Sequence, residues 1–359
     1  MNTEKDINQL TSLLMRSVSP FHCVLAASRF LEQKGFTRLD LTDAWDLKPE
    51  QGYYLPVFDS SLIAFTTGEN CICKTAPGGA PLSPAPDPAL RMEAAHTDWP
   101  CLKLKPSPEV STSRYGKLNV EVYGSPILST WMDRPLSLAG KVCAAGETPF
   151  SPSVHIVDIK RPVAVIPNLA IHMNREVNSG VALNPQKDML PILTLLGENT
   201  DKDHCLVNLL ARETGCAPEE ILDYDLCLYN LDSCSTLGLE DQFFCAPRID
   251  NLTSVSACLA GIASGFRQSG VNVIALYDNE EIGSRTKQGA FSAVTDRVLE
   301  KLYLSLGYSR EQYLNAVMNG FLLSMDVAHA MHPNHTEKCD IKNQILPGDG
   351  GAIKMAADQ

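Results

Sequence analysis

No stretch of this sequence stays apolar long enough to span a bilayer. The first ten residues, MNTEKDINQL, carry acids where a secretory signal would place a basic head and an apolar core. Positive charge is scarce: 30 Lys and Arg stand against 42 Asp and Glu, a formal net charge of −12. That balance argues against nucleic acid or an anionic membrane surface as a partner. It leaves room for an acidic small substrate, because one well-placed cation overrides a mean field. No C-x-x-C pair occurs, and of twelve cysteines only Cys71 and Cys73 lie close together. Without a signal peptide such thiols read as reduced, small core residues, Cys143 and Cys258 among them, and the expected compartment is the cytoplasm. Histidine is sparse, at eight, and no internal repeat is visible. What is left is a chain of 359 residues, 44% hydrophobic and 20% charged, long enough to bury a large core in one to three domains.

The stretch with the strongest signal is VNVIALYDNEEIG, residues 271–283. Its apolar, β-branched start reads as a strand buried on both faces of a parallel sheet. It then turns abruptly acidic at Asp278, Glu280 and Glu281. Ligands bind at the carboxyl ends of strands in open α/β sheets, so position and composition agree. Two adjacent carboxylates there can divide the work of a metal hydrolase, one binding metal and the other taking a proton from water. An acidic turn before a helix would look the same, but the pattern recurs. Residues 90–95 alternate and end in His96-Thr97-Asp98, and the apolar run 321–325 ends in Asp326. Asp250 precedes a helical pattern over 252–266. The set that suggests a metal centre is therefore His96, Asp250, Glu281 and Asp326, with Glu280 left over as base and Asp98 placed to orient the His96 ring. Of His329, His332 and His335, Pro333 breaks any shared helical face, which leaves His329 as the candidate.

Helices are predicted over 5–17, from Ser19-Pro20 to Gly35, near 205–213, and over 252–266, 291–306 and 309–319. Strands are predicted around 52–57, 60–66, 154–159, 163–166, 271–277 and 321–325. The Pro/Gly/Ala stretch 75–89 reads as a loop. Between 101 and about 232 short alternating runs such as Leu118-Val120-Val122 against Asn119-Glu121-Tyr123 signal antiparallel β structure. The fold class expected is α/β, a catalytic domain (1–100 and 241–359) interrupted by a mostly β insertion (101–240).

Six blocks, AHTDWPCLKLKP (95–106), VEVYGSPILSTWMDRPLSLAGKV (120–142), IPNLAIHMNR (166–175), APRIDNLTS (246–254), LYDNEEIGS (276–284) and SMDVAHAMHPNH (324–335), together resemble the aspartyl aminopeptidase family of zinc peptidases. The resemblance implies a two-zinc α/β catalytic domain with an inserted β domain used to assemble a homo-oligomer, commonly a dodecamer. It implies His96 and Asp326 on one zinc, Asp250 bridging, Glu281 on the second, and Glu280 as general base to a zinc-activated water. It further implies that His172 reaches the substrate of a neighbouring subunit, that His329 is another substrate contact, and that Lys354 meets the acidic side chain of the first residue. From its own surroundings His172 would read as an ordinary core or surface histidine.

Trp99 stands where the family more often has a small residue, and Met325 and the 75–89 loop also depart from common forms. The family pattern runs on past Gln359 to a histidine of the second metal site, for which this sequence offers no residue. The expected function is removal of N-terminal Asp or Glu from peptides. A related two-metal aminopeptidase with another side-chain preference is one alternative. The other is a truncated, catalytically impaired subunit acting only as an assembly or binding component.

Overall fold

A computed structural model describes residues 3–73, 87–198 and 200–355. The predicted loop over 75–89 falls mostly outside them. The chain opens with α1 (Thr3–Arg16) and α2 (Pro20–Gln33). Ser19 caps α2, its hydroxyl accepting from the His22 N–H at 3.4 Å, with Pro20 in the first turn, and Gly35 takes φ +85° just past its end. Strands β1 (Thr37–Arg38), β2 (Gly52–Val57), β3 (Ser61–Thr67) and β4 (Leu90–His96) follow.

The chain then leaves this layer for β5 (Cys101–Thr112), β6 (Tyr115–Tyr123), β7 (Leu136–Thr148), β8 (Ser151–Asp158) and β9 (Ile192–Leu195). The short α3 (Pro185–Asp188) precedes β9, and α4 (Cys205–Thr214) precedes β10 (Ile221–Asn230). A small hairpin of β11 (Ser235–Leu237) and β12 (Phe243–Cys245) leads into α5 (Ile249–Ile262) and β13 (Val271–Tyr277). The last elements are α6 (Val294–Ser305), α7 (Arg310–Met318) and β14 (Phe321–Ser324).

Two six-stranded sheets result, with orders β1-β2-β3-β13-β4-β14 and β8-β7-β10-β5-β6-β9. The fold is mixed α/β with two layered parts. The first sheet is covered on both faces. Ile274 and Leu276 of β13 pack with Leu14, Leu31 and Val255, while Val273 and Ala275 pack with Leu302 and Tyr303. That alternation along one strand is why its sequence is apolar throughout. The expectation of a parallel sheet needs correction, however. β13 runs parallel to β4 but antiparallel to β3, so the sheet is mixed. The second sheet is antiparallel throughout, with Leu206, Leu209 and Leu210 of α4 in its core. Residues 163–166, expected as a strand, make only bridges, Ala164 to Leu136 and Val165 to Ile192. The two bridges reach different strands, β7 and β9, so the segment spans them without pairing along either.

Candidate metal centre

Three parallel strands decide where the polar ends of their segments meet. β4, β13 and β14 point the same way, with Tyr277 opposite His96 and Ser324 opposite Ala94. Two residues beyond Ser324, Asp326 comes level with His96. Residues 279–281 follow β13 off the same edge, and the start of α5 supplies Asp250. The turn after β13 is built for that purpose: Asn279 is left-handed (φ 65°), Glu280–Ile282 form one 3₁₀ turn, and Gly283 closes it at φ +94°. Asp250 has extended backbone (φ −79°, ψ 111°) and is followed by a cis peptide bond to Asn251. The Asn251 side-chain amide donates to the Met325 carbonyl at 3.0 Å, tying the Asp250 and Asp326 segments together.

His96 is the hub, 4% exposed. Its Nε2 lies 3.4 Å from Asp250 Oδ1, 3.6 Å from Asp326 Oδ1 and 3.7 Å from Glu280 Oε2. Those three carboxylates are about half exposed, so the cluster is buried behind and open in front. Two triplets bring ligand atoms within 4.8 Å of one another, His96/Asp250/Asp326 and His96/Glu280/Glu281. Glu281 thus groups with His96 and Glu280, whereas the family resemblance pairs it with Asp250.

Asp98 holds the arrangement from behind. Its backbone carbonyl lies 3.0 Å from His96 Nδ1 and its Oδ1 3.4 Å from the same nitrogen. Its carboxylate also accepts the backbone N–H groups of Glu280 (3.1 Å) and Glu281 (3.2 Å) and the Tyr123 hydroxyl (2.5 Å). One side chain therefore fixes the imidazole and the two-glutamate turn together. Asn279 donates in turn to the Tyr123 oxygen at 2.9 Å. The sequence marks Asp278 only as part of the acidic turn and offers Tyr123 and Asn279 no role at the site. The signal for Tyr123 was weak: it falls on the polar set of its strand, yet it is 8% exposed because an acid waits for its hydroxyl.

The electrostatics are those of a site that wants a cation. Burial lowers the His96 pKa, but hydrogen bonds to Asp250 and Asp98 and the nearby acids overcome it and lift the group to about 11. Burial raises Glu281 to about 7, with Asp250, Asp98 and Glu280 adding to the rise and His96 opposing it, and raises Glu280 in the same direction. Burial and the Asp98 charge put Asp278 at about 6. Carboxylates crowded to this degree are relieved by a bound metal ion, and an imidazole nitrogen with carboxylate oxygens is a donor set zinc accepts. The residues present fit the group.

The remaining candidates take no part in the two triplets. His172, His329 and Lys354 are all exposed. His329 is near enough that its charge helps lower the Asp250 pKa, after the larger effect of the His96 hydrogen bond. Among the described residues, no side-chain hydrogen bond or ion pair joins His172 or Lys354 to the cluster.

An α/β sheet whose parallel strand ends gather one histidine and a ring of carboxylates presents a candidate metal site of the kind metal-dependent hydrolases use. The comparisons narrow this. The pattern of the aminopeptidase I zinc metalloprotease (M18) family matches residues 13–359. A protein named "Probable M18 family aminopeptidase 2" from Clostridium novyi (strain NT) is 39% identical over 359 residues, 100% of this chain and 80% of its own. A cryo-EM structure of the Ape4 and Nbr1 complex has TM-score 0.86 and 30% identity, covering 96% of this chain and 67% of that one. The structure of an S. cerevisiae mApe1 dodecamer shares the fold at TM-score 0.75 and 22% identity, covering 97% and 77%. The chain belongs to the M18 family, the aspartyl aminopeptidase family of zinc metallopeptidases. It is a zinc-dependent metalloaminopeptidase by membership. No helix among the described residues is long and apolar enough to cross a membrane.

Proposed function

We propose that this aminopeptidase removes N-terminal Asp or Glu from peptides, with Glu280 as general base. The observation that carries the base assignment is the position of Glu280: its carboxylate lies 3.7 Å from His96 Nε2, half exposed, on the open side of the cluster. Zinc held by His96, Asp250, Glu281 and Asp326, as two ions, would supply a Lewis acid for the substrate carbonyl and lower the pKa of water. Glu280 accepts the water's proton at a carboxylate oxygen and returns it to the leaving amine. Asp98 keeps His96 and the 280–281 backbone in register while this happens. Replacing Glu280 by Gln should retain bound zinc yet lower turnover by roughly 10²–10⁴, the usual worth of a positioned base. Turnover near wild type with zinc in place would remove Glu280 from that role.

The acid preference rests on the resemblance, in which Lys354 meets the first residue's carboxylate and His329 and His172 are further substrate contacts. Lys354→Ala should reduce rates on N-terminal Glu and Asp far more than on N-terminal Ala or Leu. Equal losses would make it structural. Assembly belongs to the same reading. The exposed loop carrying His172 also exposes Leu169, Ile171 and Met173 (52%, 51% and 69%), a surface suited to a second copy of the chain. We carry the homo-oligomer, with 101–240 as its assembly domain and the dodecamer of the related structure as the reference count, to this chain on that basis. Twelve free thiols support a cytoplasmic setting.

A further inference from the structure

The chemistry proposed above leaves a cavity beside Asp250 unused. Its volume is about 350 Å³, and its wall runs from Asp250 through Arg248 to Trp99, Trp131 and Tyr229. Arg248 is the member whose surroundings are incomplete. Its backbone is left-handed (φ 61°) at the start of α5, and its Nη2 donates to the Leu14 carbonyl at 3.0 Å. Its Nε has no hydrogen-bond partner, and no carboxylate among the described residues forms an ion pair with it. The guanidinium carbon lies 5.7 Å from the Trp99 ring centroid and 6.0 Å from that of Tyr229. Burial disfavours its charge and pulls its pKa below the usual arginine value. Arg134, the other arginine on the wall, is already paired with Asp232.

A largely buried cation that meets aromatic faces and has no ion-pair partner among the described residues, the Asp158 charge acting on it only from a distance, is held rigidly but undercompensated. An anion entering the cavity would compensate the guanidinium charge, while Nε itself stays closed off from solvent. The planar guanidinium fits a carboxylate better than any other group a peptide offers. Asp250 on the same wall would repel such a group, but metal binding at the cluster neutralises that acid. Trp99 contributes because it is buried, at 5% exposure, and flanks the guanidinium.

We propose that this cavity is a carboxylate-binding subsite of the peptide substrate, with Arg248 as its cation and Trp99 and Tyr229 fixing the guanidinium. The inference rests on the aminopeptidase reading and adds a second point of recognition to it. The carboxylate has two possible sources, the acidic side chain of the first residue or a carboxylate beyond the scissile bond, such as the C-terminus of a dipeptide.

Two matched substrate pairs separate the sources, assayed on the zinc-loaded full chain. One pair is Glu-p-nitroanilide against Gln-p-nitroanilide, and the other is Ala-Phe against Ala-Phe-amide. The wild type should favour the carboxylate member of at least one pair by about tenfold or more in kcat/KM, the scale of a charge-assisted hydrogen bond. In Arg248→Gln that ratio should fall, to near one for the Ala-Phe pair and by a smaller factor for the Glu pair, on which Lys354 still acts, and Arg248→Lys should retain part of it. A purely structural Arg248 would lower both members of a pair together and leave the ratio unchanged. The pair whose ratio falls identifies the source. No preference in either wild-type pair overturns the proposal, as does a preference that Arg248→Gln leaves undiminished. If no peptide is turned over, the reading as an aminopeptidase of acidic N-termini fails. Calorimetric binding of the same peptides to zinc-loaded Glu280→Gln still yields the ratios that decide the subsite.

Discussion

At the scale of single residues, the site is a division of labour among acids of the same chemistry. Asp98, Asp250, Asp278, Glu280, Glu281 and Asp326 differ in what surrounds them. Asp98 is 1% exposed and accepts three hydrogen bonds, from Tyr123 and two backbone N–H groups, which makes it the anchor. Tyr123 is accordingly a positioning residue, and burial followed by the charge and hydrogen bond of Asp98 raises its pKa. Tyr123→Phe removes a charge-assisted bond worth about 1.5–3 kcal/mol in stability. We expect a lower melting temperature and a reduced kcat with little change in KM, because the Glu280 turn loosens while the substrate's binding surface stays. A variant that loses stability alone, with kcat intact, would reduce Tyr123 to a core residue.

At the scale of elements, much was legible because caps and periodicity are local. The Ser19-Pro20 start, the apolar 271–277 strand and the helices over 205–214 and 310–318 appear within a few residues of expectation. The ends of β4, β13 and β14 were readable as sites because acids and a histidine follow apolar runs. What brings them together, the common direction and the register that sets Asp326 level with His96, depends on pairing between distant segments and leaves no local trace. The antiparallel entry of β3 beside β13 escaped for the same reason. The run 321–324 reads as a buried strand, yet its four residues are exposed at the sheet edge, since apolarity reports what can be buried and not what is.

His22 in α2 offers a pH test at this scale. Burial lowers its pKa from 6.5 to about 4, with Lys160 and Arg29 adding to the fall and Asp158 opposing it. The unfolded chain takes up the proton first, so stability is intact above about pH 6.5 and declines as pH falls toward 4. Melting temperatures of wild type and His22→Gln, followed from pH 7.5 to 4.5, should converge as the wild type loses its advantage. A constant gap across that range would show that His22 does not titrate between the two states.

For the whole molecule, the metal cluster and its support connect the two sheets. The proposed ligands lie on β4, on α5, in the turn after β13 and in the segment after β14. Asp98 and Tyr123 then carry the connection into β6 of the second sheet. His96 faces Asp98, Asp250, Glu280 and Asp326, and their hydrogen bonds and charges outweigh its burial and lift its pKa well above the ordinary value. A bound metal replaces that compromise, so it should stabilise the folded chain by mass action, about 2.7 kcal/mol at a hundredfold excess over its Kd. Removing zinc with a chelator should lower the melting temperature by several degrees, and stoichiometric zinc should restore it. The same titration on Asp326→Asn should show weaker recovery, because one oxygen of the His96/Asp250/Asp326 triplet loses its charge. Calcium or magnesium, which prefer all-oxygen sites, should restore less than zinc, since the imidazole at the centre of the cluster is the donor they use least. Equal recovery with magnesium would mean that the carboxylates act as a general charge trap and that His96 does not select the metal.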